Sequence, residues 1–212
     1  MTLTLYVGTK RYSSWSLRPY LALAQSGLPF DCKTILLDRD DSKAEIAKVS
    51  PSGRVPVLHD DTGDGLIVQD SLAICEYVNE LAPEAKLWPA DRAARAKARA
   101  ISAEMHAGFA ALRQHMSMDI GTDKRGQGHV PDALADARRV MDIWREALAA
   151  SKGPFLFGTF TIADAMYAPV TTRFITYGVD LDATCRGYVA AIAALPSFQK
   201  WAADAAKEPV TR

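Results

Sequence analysis

The chain has 212 residues, enough for one large domain or two small ones with a substantial buried core. Its 25 Lys and Arg balance its 25 Asp and Glu, which excludes a broad electrostatic pull toward nucleic acid or an anionic membrane and points to a small partner. Cys32, Cys75 and Cys185 are odd in number and far apart, against a disulfide framework, a zinc site or a Cys-x-x-Cys redox pair. A reducing, cytoplasmic setting is expected. The stretch from Met1 to Val7 alternates like a strand and soon meets Lys10-Arg11, unlike a signal peptide, and no apolar run approaches the roughly 20 residues that span a bilayer.

In chain order, Leu3 to Val7 reads as a strand, and Trp15 to Ala24 reads as a helix stopped by Gly27, with Leu17, Leu21 and Ala24 at helical spacing. Phe30 to Leu37 supplies a second strand, and Ser42 to Val49 a short helix ended by Ser50-Pro51-Ser52-Gly53. Val55-Pro56-Val57, the turn Asp60-Asp61-Thr62-Gly63-Asp64-Gly65 and the apolar run at Val68 then predict two antiparallel strands. Asp70-Ser71 opens a helix through Leu72, Ala73 and Ile74. The order β-α-β-α-β-β-α is a thioredoxin-like α/β arrangement. Proline has no N–H to donate, so Pro56 belongs at a strand start or edge, and a cis Val55-Pro56 bond would turn neighbouring backbone groups outward. Arg54-Val55-Pro56 can then present main-chain groups to an extended peptide, while Ser71 and the first amides of its helix suit a carboxylate. Together they describe a site for a small anionic peptide.

Composition changes after Leu81. Ala82-Pro83-Glu84 and Trp88-Pro89-Ala90 punctuate the chain as a linker, giving expected units of 1–82 and 91–212 joined by 83–90, with no further convincing strand downstream. Ile101, Met105, Phe109, Leu112 and Met116 form an apolar stripe that predicts one long helix from Asp91 to Met118. Arg92, Arg95 and Arg99 form another stripe, accounted for by a solvated helix face. Gly121 to Gly128 reads as a mobile connection, and Leu134, Val140, Met141, Trp144 and Leu148 carry a second long helix from Pro131 to the break at Lys152-Gly153-Pro154. Thr161-Ile162-Ala163-Asp164 is a capping-box pattern before an apolar run, and its role is structural. Two more helices, near Arg186 to Ala194 and Ser197 to Ala206, complete an all-α second half. His59, His106, His115 and His129 show no paired metal spacing, so no metal is expected, and no Ser-His-Asp pattern supports hydrolase chemistry.

The Val55-Pro56 loop with Asp70-Ser71 resembles the glutathione-binding half of glutathione transferases, and the remaining landmarks extend that resemblance over nearly the whole chain. Thr161 to Asp164 resembles that family's buried C-terminal capping motif. The resemblance implies glutathione as co-substrate, with its γ-glutamyl group at Asp70 and Ser71 and its cysteinyl backbone at Val55, between Arg54 and Pro56. Ser13-Ser14-Trp15-Ser16-Leu17-Arg18-Pro19-Tyr20-Leu21-Ala22-Leu23 resembles, without a gap, the serine-rich segment of the zeta and tau classes. On that register Ser13 falls on the catalytic serine and Ser14 on the next residue; Ser16 and Tyr12 are further hydroxyls nearby. Trp15 replaces the zeta-class cysteine and adds bulk beside the sulfur site. The implied second-substrate pocket lies over Trp15, with Phe109, Met116 and Arg173 as wall residues and Met105 assigned to the core. The implied function is detoxifying transfer of activated glutathione to a small electrophile by a homodimer. Two alternatives stand beside it: cis-trans isomerisation of maleyl diacids, as in the zeta class, and a non-catalytic binding scaffold. An ungapped register puts Thr176 where the zeta class has an arginine, with Arg173 one turn earlier. A disulfide reductase is disfavoured, because the catalytic turn holds no cysteine.

Overall fold

The computed structural model describes residues 2–62 and 65–210. Gly63 and Asp64 of the expected turn, and Met1, lie outside the described residues. Strand β1 (Leu3–Gly8) runs parallel to β2 (Phe30–Ile35) and antiparallel to β3 (Val57–Asp60), which pairs antiparallel with β4 (Leu66–Gln69). The sheet order is β2-β1-β3-β4. In β1 the side chains of Leu3, Leu5 and Val7 are buried, each contributing roughly 1.5–3 kcal/mol through removal from water.

Helix α1 (Ser14–Ser26) packs on α3 (Ser71–Leu81) and, across the two halves of the chain, on α7 (Ile162–Tyr177). Gly27, at φ 75°, ends α1 in the left-handed conformation that a residue with a Cβ resists. The short α2 (Ser42–Ala47) links β2 to the loop before β3, and both elements stop two residues short of the sequence expectation. Val55-Pro56 is cis. A 3-10 turn at Pro83–Ala85 leads into the helical half: α4 (Arg92–Ala107), α5 (Ala110–His115), α6 (Pro131–Ala150), α7, α8 (Ala183–Ala193) and α9 (Pro196–Ala205). Its core is aromatic, with Trp144 in contact with Tyr167, Phe174 and Tyr188, and Trp201 against Tyr20 of α1.

The long helix expected from Asp91 to Met118 is instead two helices with a break at Gly108 and Phe109. A Cβ on Gly108 would lie 2.8 Å from the Glu104 carbonyl, and Phe109 adopts φ 59°. One distant group and one local side chain stabilise the break. The Leu112 amide donates to Asp136 Oδ2 of α6 at 3.0 Å, and the Arg113 guanidinium folds back to cap the carbonyls of Met105, His106 and Gly108. The arginine stripe also differs from a purely solvated face: Arg95 donates to the carbonyls of Pro89 and Ala90, and Arg99 pairs with Glu76 of α3 at 3.4 Å.

Candidate functional site

A cleft of about 670 Å³ lies where the two halves meet. It is lined by Trp15 of α1, Arg54, Val55 and Pro56 of the loop before β3, Asp70 and Ser71 at the start of α3, and His106 in the last turn of α4. The loop and the helix start that sequence reading joined into one peptide site therefore face the same cavity. Asp70 precedes α3 at φ 74°, a conformation costly for a residue with a Cβ. The strain is offset locally, since its Oδ1 accepts from the amides of Leu72 (2.8 Å) and Ala73 (3.3 Å). Its Oδ2 is left to meet Nε2 of His106 at 3.3 Å, on a side chain that is half exposed. Ser71 lines the cleft while only 1 % exposed.

At the start of α1, Ser13 and Ser14 are 7 % and 6 % exposed. Ser13 donates to Ser16 Oγ at 2.7 Å, and Ser16 in turn accepts from the Gly8 amide at 3.0 Å. Ser16 is thus fully buried as a strut between β1 and α1, and Ser13 is held by it. Ser14, at the first helical position, is not drawn into that network. Gly8 is needed here, because a Cβ on it would sit 2.7 Å from the Leu37 side chain and 3.1 Å from Ser13 Oγ.

Trp15 is 36 % exposed and has three cationic or aromatic neighbours. The guanidinium of Arg18 lies 4.4 Å from the ring centroid, that of Arg113 lies 4.9 Å away, and the His106 ring meets it edge-on at 5.1 Å. Of the residues expected as a wall over Trp15, Phe109 is buried and Met116 is fully enclosed, and neither lines the cleft, while Met105 is buried as expected of a core residue. Arg173 also points inward, its guanidinium donating to the Met116 carbonyl at 2.6 Å; desolvation, with Arg113 nearby, pushes its pKa down to about 10. Met105, Phe109, Leu112 and Met116 of the apolar stripe are all buried, as a helix face packed on a core requires.

Sequence reading weighed His106 only as a metal ligand and gave Arg18 no role. The signal for Arg18 was available: a lone charge inside the apolar run Leu17 to Leu23. Arg18 is 1 % exposed, and its Nη1 lies 3.5 Å from Ser71 Oγ, the long end of a hydrogen bond. Burial, followed by repulsion from Arg113 and Arg173, pushes its pKa down to about 9. Among the described residues no cluster of three or more metal-ligating side chains forms, and no helix is long and apolar enough to cross a membrane.

Comparisons with known proteins agree with this geometry. Residues 12–81 match the glutathione S-transferase N-terminal domain, and residues 127–204 match the C-terminal domain of the same family. A probable maleylacetoacetate isomerase of Caenorhabditis elegans is 28 % identical over 181 residues, spanning 84 % of this chain and 81 % of that protein. The rat maleylacetoacetate isomerase is 29 % identical over 201 residues, 92 % of this chain and 89 % of the relative. A glutathione transferase homologue from Burkholderia, solved with bound glutathione, superposes with a TM-score of 0.74 at 25 % identity over 99 % of this chain and all of that one. A thioredoxin-like half with its proline loop and acid-serine helix start, followed by an all-helical half, places this chain in the glutathione S-transferase family.

Proposed function

We propose that this protein is a glutathione-dependent enzyme that binds the tripeptide in the cleft and adds its thiolate to a small electrophile held over Trp15. The observation that carries the reading is the convergence of the Val55-Pro56 loop and the Asp70-Ser71 helix start on one cavity beside the N-terminus of α1. In this reading Asp70 meets the γ-glutamyl ammonium, Ser71 and the first α3 amides meet its carboxylate, and the Val55 backbone holds the cysteinyl unit. Ser13 or Ser14 donates to the sulfur at the start of α1. A free thiol has a pKa near 8.5, and each unit of lowering needs about 1.4 kcal/mol of preference for the anion. One hydroxyl donor together with the α1 amides is of that size.

A second reading names the electrophile as a maleyl diacid, and the relatives named maleylacetoacetate isomerase favour it. The chemistry shares its first step: sulfur adds to one alkene carbon and the electron pair passes to the adjacent carbonyl. In isomerisation the resulting single bond rotates and the thiolate is expelled again; in conjugation the enolate takes a proton from solvent and the adduct is kept, and on a chloro-aromatic the same thiolate displaces chloride. Arg18 and Arg113 beside Trp15 would supply the positive potential that a diacid needs, taking the place of the arginine that Thr176 replaces. We further propose a homodimer, the assembly expected from the family resemblance, tested by light scattering.

The discriminating experiment is retention on immobilised glutathione, followed by parallel assays with a maleyl diacid and a chloro-aromatic electrophile. Retention with turnover of the diacid supports the isomerase reading, and turnover of the aromatic alone supports conjugation. Retention without turnover of either favours a binding scaffold, and failure to bind glutathione removes the reading.

A further inference from the structure

Ser13 and Ser14 stand where the link of residues 9–12, leaving β1, runs into α1. That link is held by groups far along the chain. The Lys10 carbonyl accepts from Trp201 Nε1 at 3.0 Å, and the Lys10 ammonium pairs with Asp204 at 2.8 Å, both partners on α9. The Arg11 amide donates to Glu208 at 3.3 Å, its carbonyl accepts from the Ile120 amide at 3.2 Å, and its Nε donates to Asp119 at 2.8 Å. Backbone and side chain of two successive residues thus end on the helical half. Asp119 is 7 % exposed, and its other carboxylate oxygen pairs with Lys124 at 2.7 Å. Its own carbonyl accepts from the hydroxyls of Thr122 (2.9 Å) and of Thr176 on α7 (3.1 Å). Desolvation works against its charge, but hydrogen bonds from Lys124 and Arg11 outweigh it and hold the carboxyl below its ordinary 3.8. The carboxylate is a fixed, ionised post between the helical half and the link that carries the serines.

We infer that Asp119 is a positioning residue for the thiolate chemistry: through Arg11 it holds the link between β1 and α1 so that the serine hydroxyl stays within hydrogen-bond reach of the sulfur. The link's own bonds, from the Tyr12 and Ser13 amides to the Thr9 carbonyl at 3.0 and 2.8 Å, fix the shape of the turn but not its place against the cleft. The contact of Ser13 with Ser16 at 2.7 Å fixes the hydroxyl relative to α1. Arg11 on Asp119 supplies the remaining constraint, from outside the half that carries the serines. Such a constraint matters because a hydrogen bond weakens steeply with distance and angle, and a displacement of about 1 Å at a reacting group can cost on the order of 100-fold in rate. Asp119 touches neither sulfur nor electrophile. Its effect passes through the backbone.

This inference rests on the serine reading of thiolate activation, and the sign of one shift separates positioning from simple charge. Asp119→Asn removes a negative charge, so if Asp119 acted only through its field the bound thiolate would be favoured and the thiol pKa would fall. Loss of positioning moves it the other way. Ultraviolet thiolate absorbance against pH should show the bound thiol pKa of Asp119→Asn raised by about 0.5–1 unit, with turnover below that pKa reduced about 3- to 10-fold. Calorimetry should find glutathione affinity within about twofold of wild type, since the groups proposed to hold the peptide are untouched. Arg11→Gln should match Asp119→Asn, and the double variant should be no worse than either, because each removes the same link. Arg11→Lys, which keeps the charge but not the planar fork, should show a smaller rise. Lys124→Gln loosens the same carboxylate without touching the link and should leave the thiol pKa within about 0.2 unit of wild type. An unchanged or lowered thiol pKa in Asp119→Asn overturns the inference. So does a loss of glutathione affinity in step with the rate, or an equal rise in Lys124→Gln, either of which makes the role merely structural. Should Asp119→Asn fail to fold, Arg11→Lys and Lys124→Gln decide: no rise in the first, or an equal rise in both, overturns the inference. A thiol pKa raised in Ser13→Ala or Ser14→Ala but not in the Asp119 and Arg11 variants overturns the inference alone. A wild type that binds glutathione without lowering its thiol pKa overturns the serine reading with it.

Discussion

Two helix starts in this chain use the same residue types and do different things. At α7, Thr161 and Asp164 are fully enclosed, and the carboxylate accepts from the Leu156 amide (3.0 Å), the Thr161 amide (2.8 Å) and the Thr161 hydroxyl (2.9 Å). At α3, Asp70 and Ser71 offer the same acid and hydroxyl, but one carboxylate oxygen caps the helix and the other faces the cleft and His106. A buried cap with both carboxylate oxygens engaged inside the protein is a structural joint. A cap half in water leaves one oxygen facing the cleft, where it meets only His106. The chemistry of the residues is shared, and exposure decides which role each plays.

The contrast is broken most directly at α7. Asp164→Ala leaves two buried amides and a hydroxyl without their acceptor, at about 1–3 kcal/mol for each unsatisfied group, so a total loss of about 3–5 kcal/mol is expected. For a chain of this size that lowers Tm by roughly 10 °C, which thermal denaturation will read. A stability change below about 1 kcal/mol would contradict the role given to Asp164.

The start of α1 sharpens the contrast by adding a third helix N-terminus. If the proposed serine mechanism holds, removing the donor hydroxyl should cost about 2–4 kcal/mol in conjugation rate, with little change in glutathione affinity. Ultraviolet absorbance of bound thiolate against pH, compared in Ser13→Ala, Ser14→Ala and Ser16→Ala, identifies the donor. Because Ser13 donates to Ser16, a shift confined to Ser14→Ala would transfer the catalytic role to Ser14. No shift in any variant would rule out the serine mechanism.

Acidity offers a second test of the buried cap. Desolvation raises the Asp164 carboxyl from its ordinary value of 3.8 to about 6, against the pull of its amide donors. The folded chain therefore holds this proton more tightly than the unfolded chain. The stabilisation linked to it is fully present below about pH 4 and is lost as pH rises through about 6. Measured by chemical denaturation, the stability advantage of wild type over Asp164→Asn should narrow between about pH 4 and 7, by up to about 3 kcal/mol. A gap that is constant or widens with pH would count against a raised carboxyl.

The smallest change in fold is expected at α3, where Asp70→Ala should cost about 1 kcal/mol of stability through loss of the helix cap. Its effect on glutathione binding should be larger, about 1.5–3 kcal/mol, because a charged ligand group loses its partner. Calorimetry paired with denaturation tests that split. Comparable losses at Asp70 and Asp164 in both measurements would erase the difference between the two helix starts.

Local chemistry made much of this molecule legible from sequence. Alternation in β1, the cap at Asp70, the stop at Gly27 and the box at Thr161 to Asp164 depend on residues within a turn of one another, so their spacing carries their structure. The proline loop and the acid-serine pair could be joined into one site for the same reason, since each is a short motif and the order of elements between them dictates that they meet. What sequence alone left open depends on partners far along the chain. The break at Phe109 relies on Asp136 from α6, which outweighs an apolar stripe that by itself favours continuous helix. Met116 and Arg173, far apart in sequence, are both buried and joined by the Arg173 guanidinium donating to the Met116 carbonyl. His106 reaches Asp70 from α4, and Arg18 reaches Ser71 from α1, 53 residues apart. Burial of a charge is a property of everything packed around it, so the tertiary structure alone decided that Arg18 lies enclosed behind the cleft, against Ser71 and the Trp15 ring.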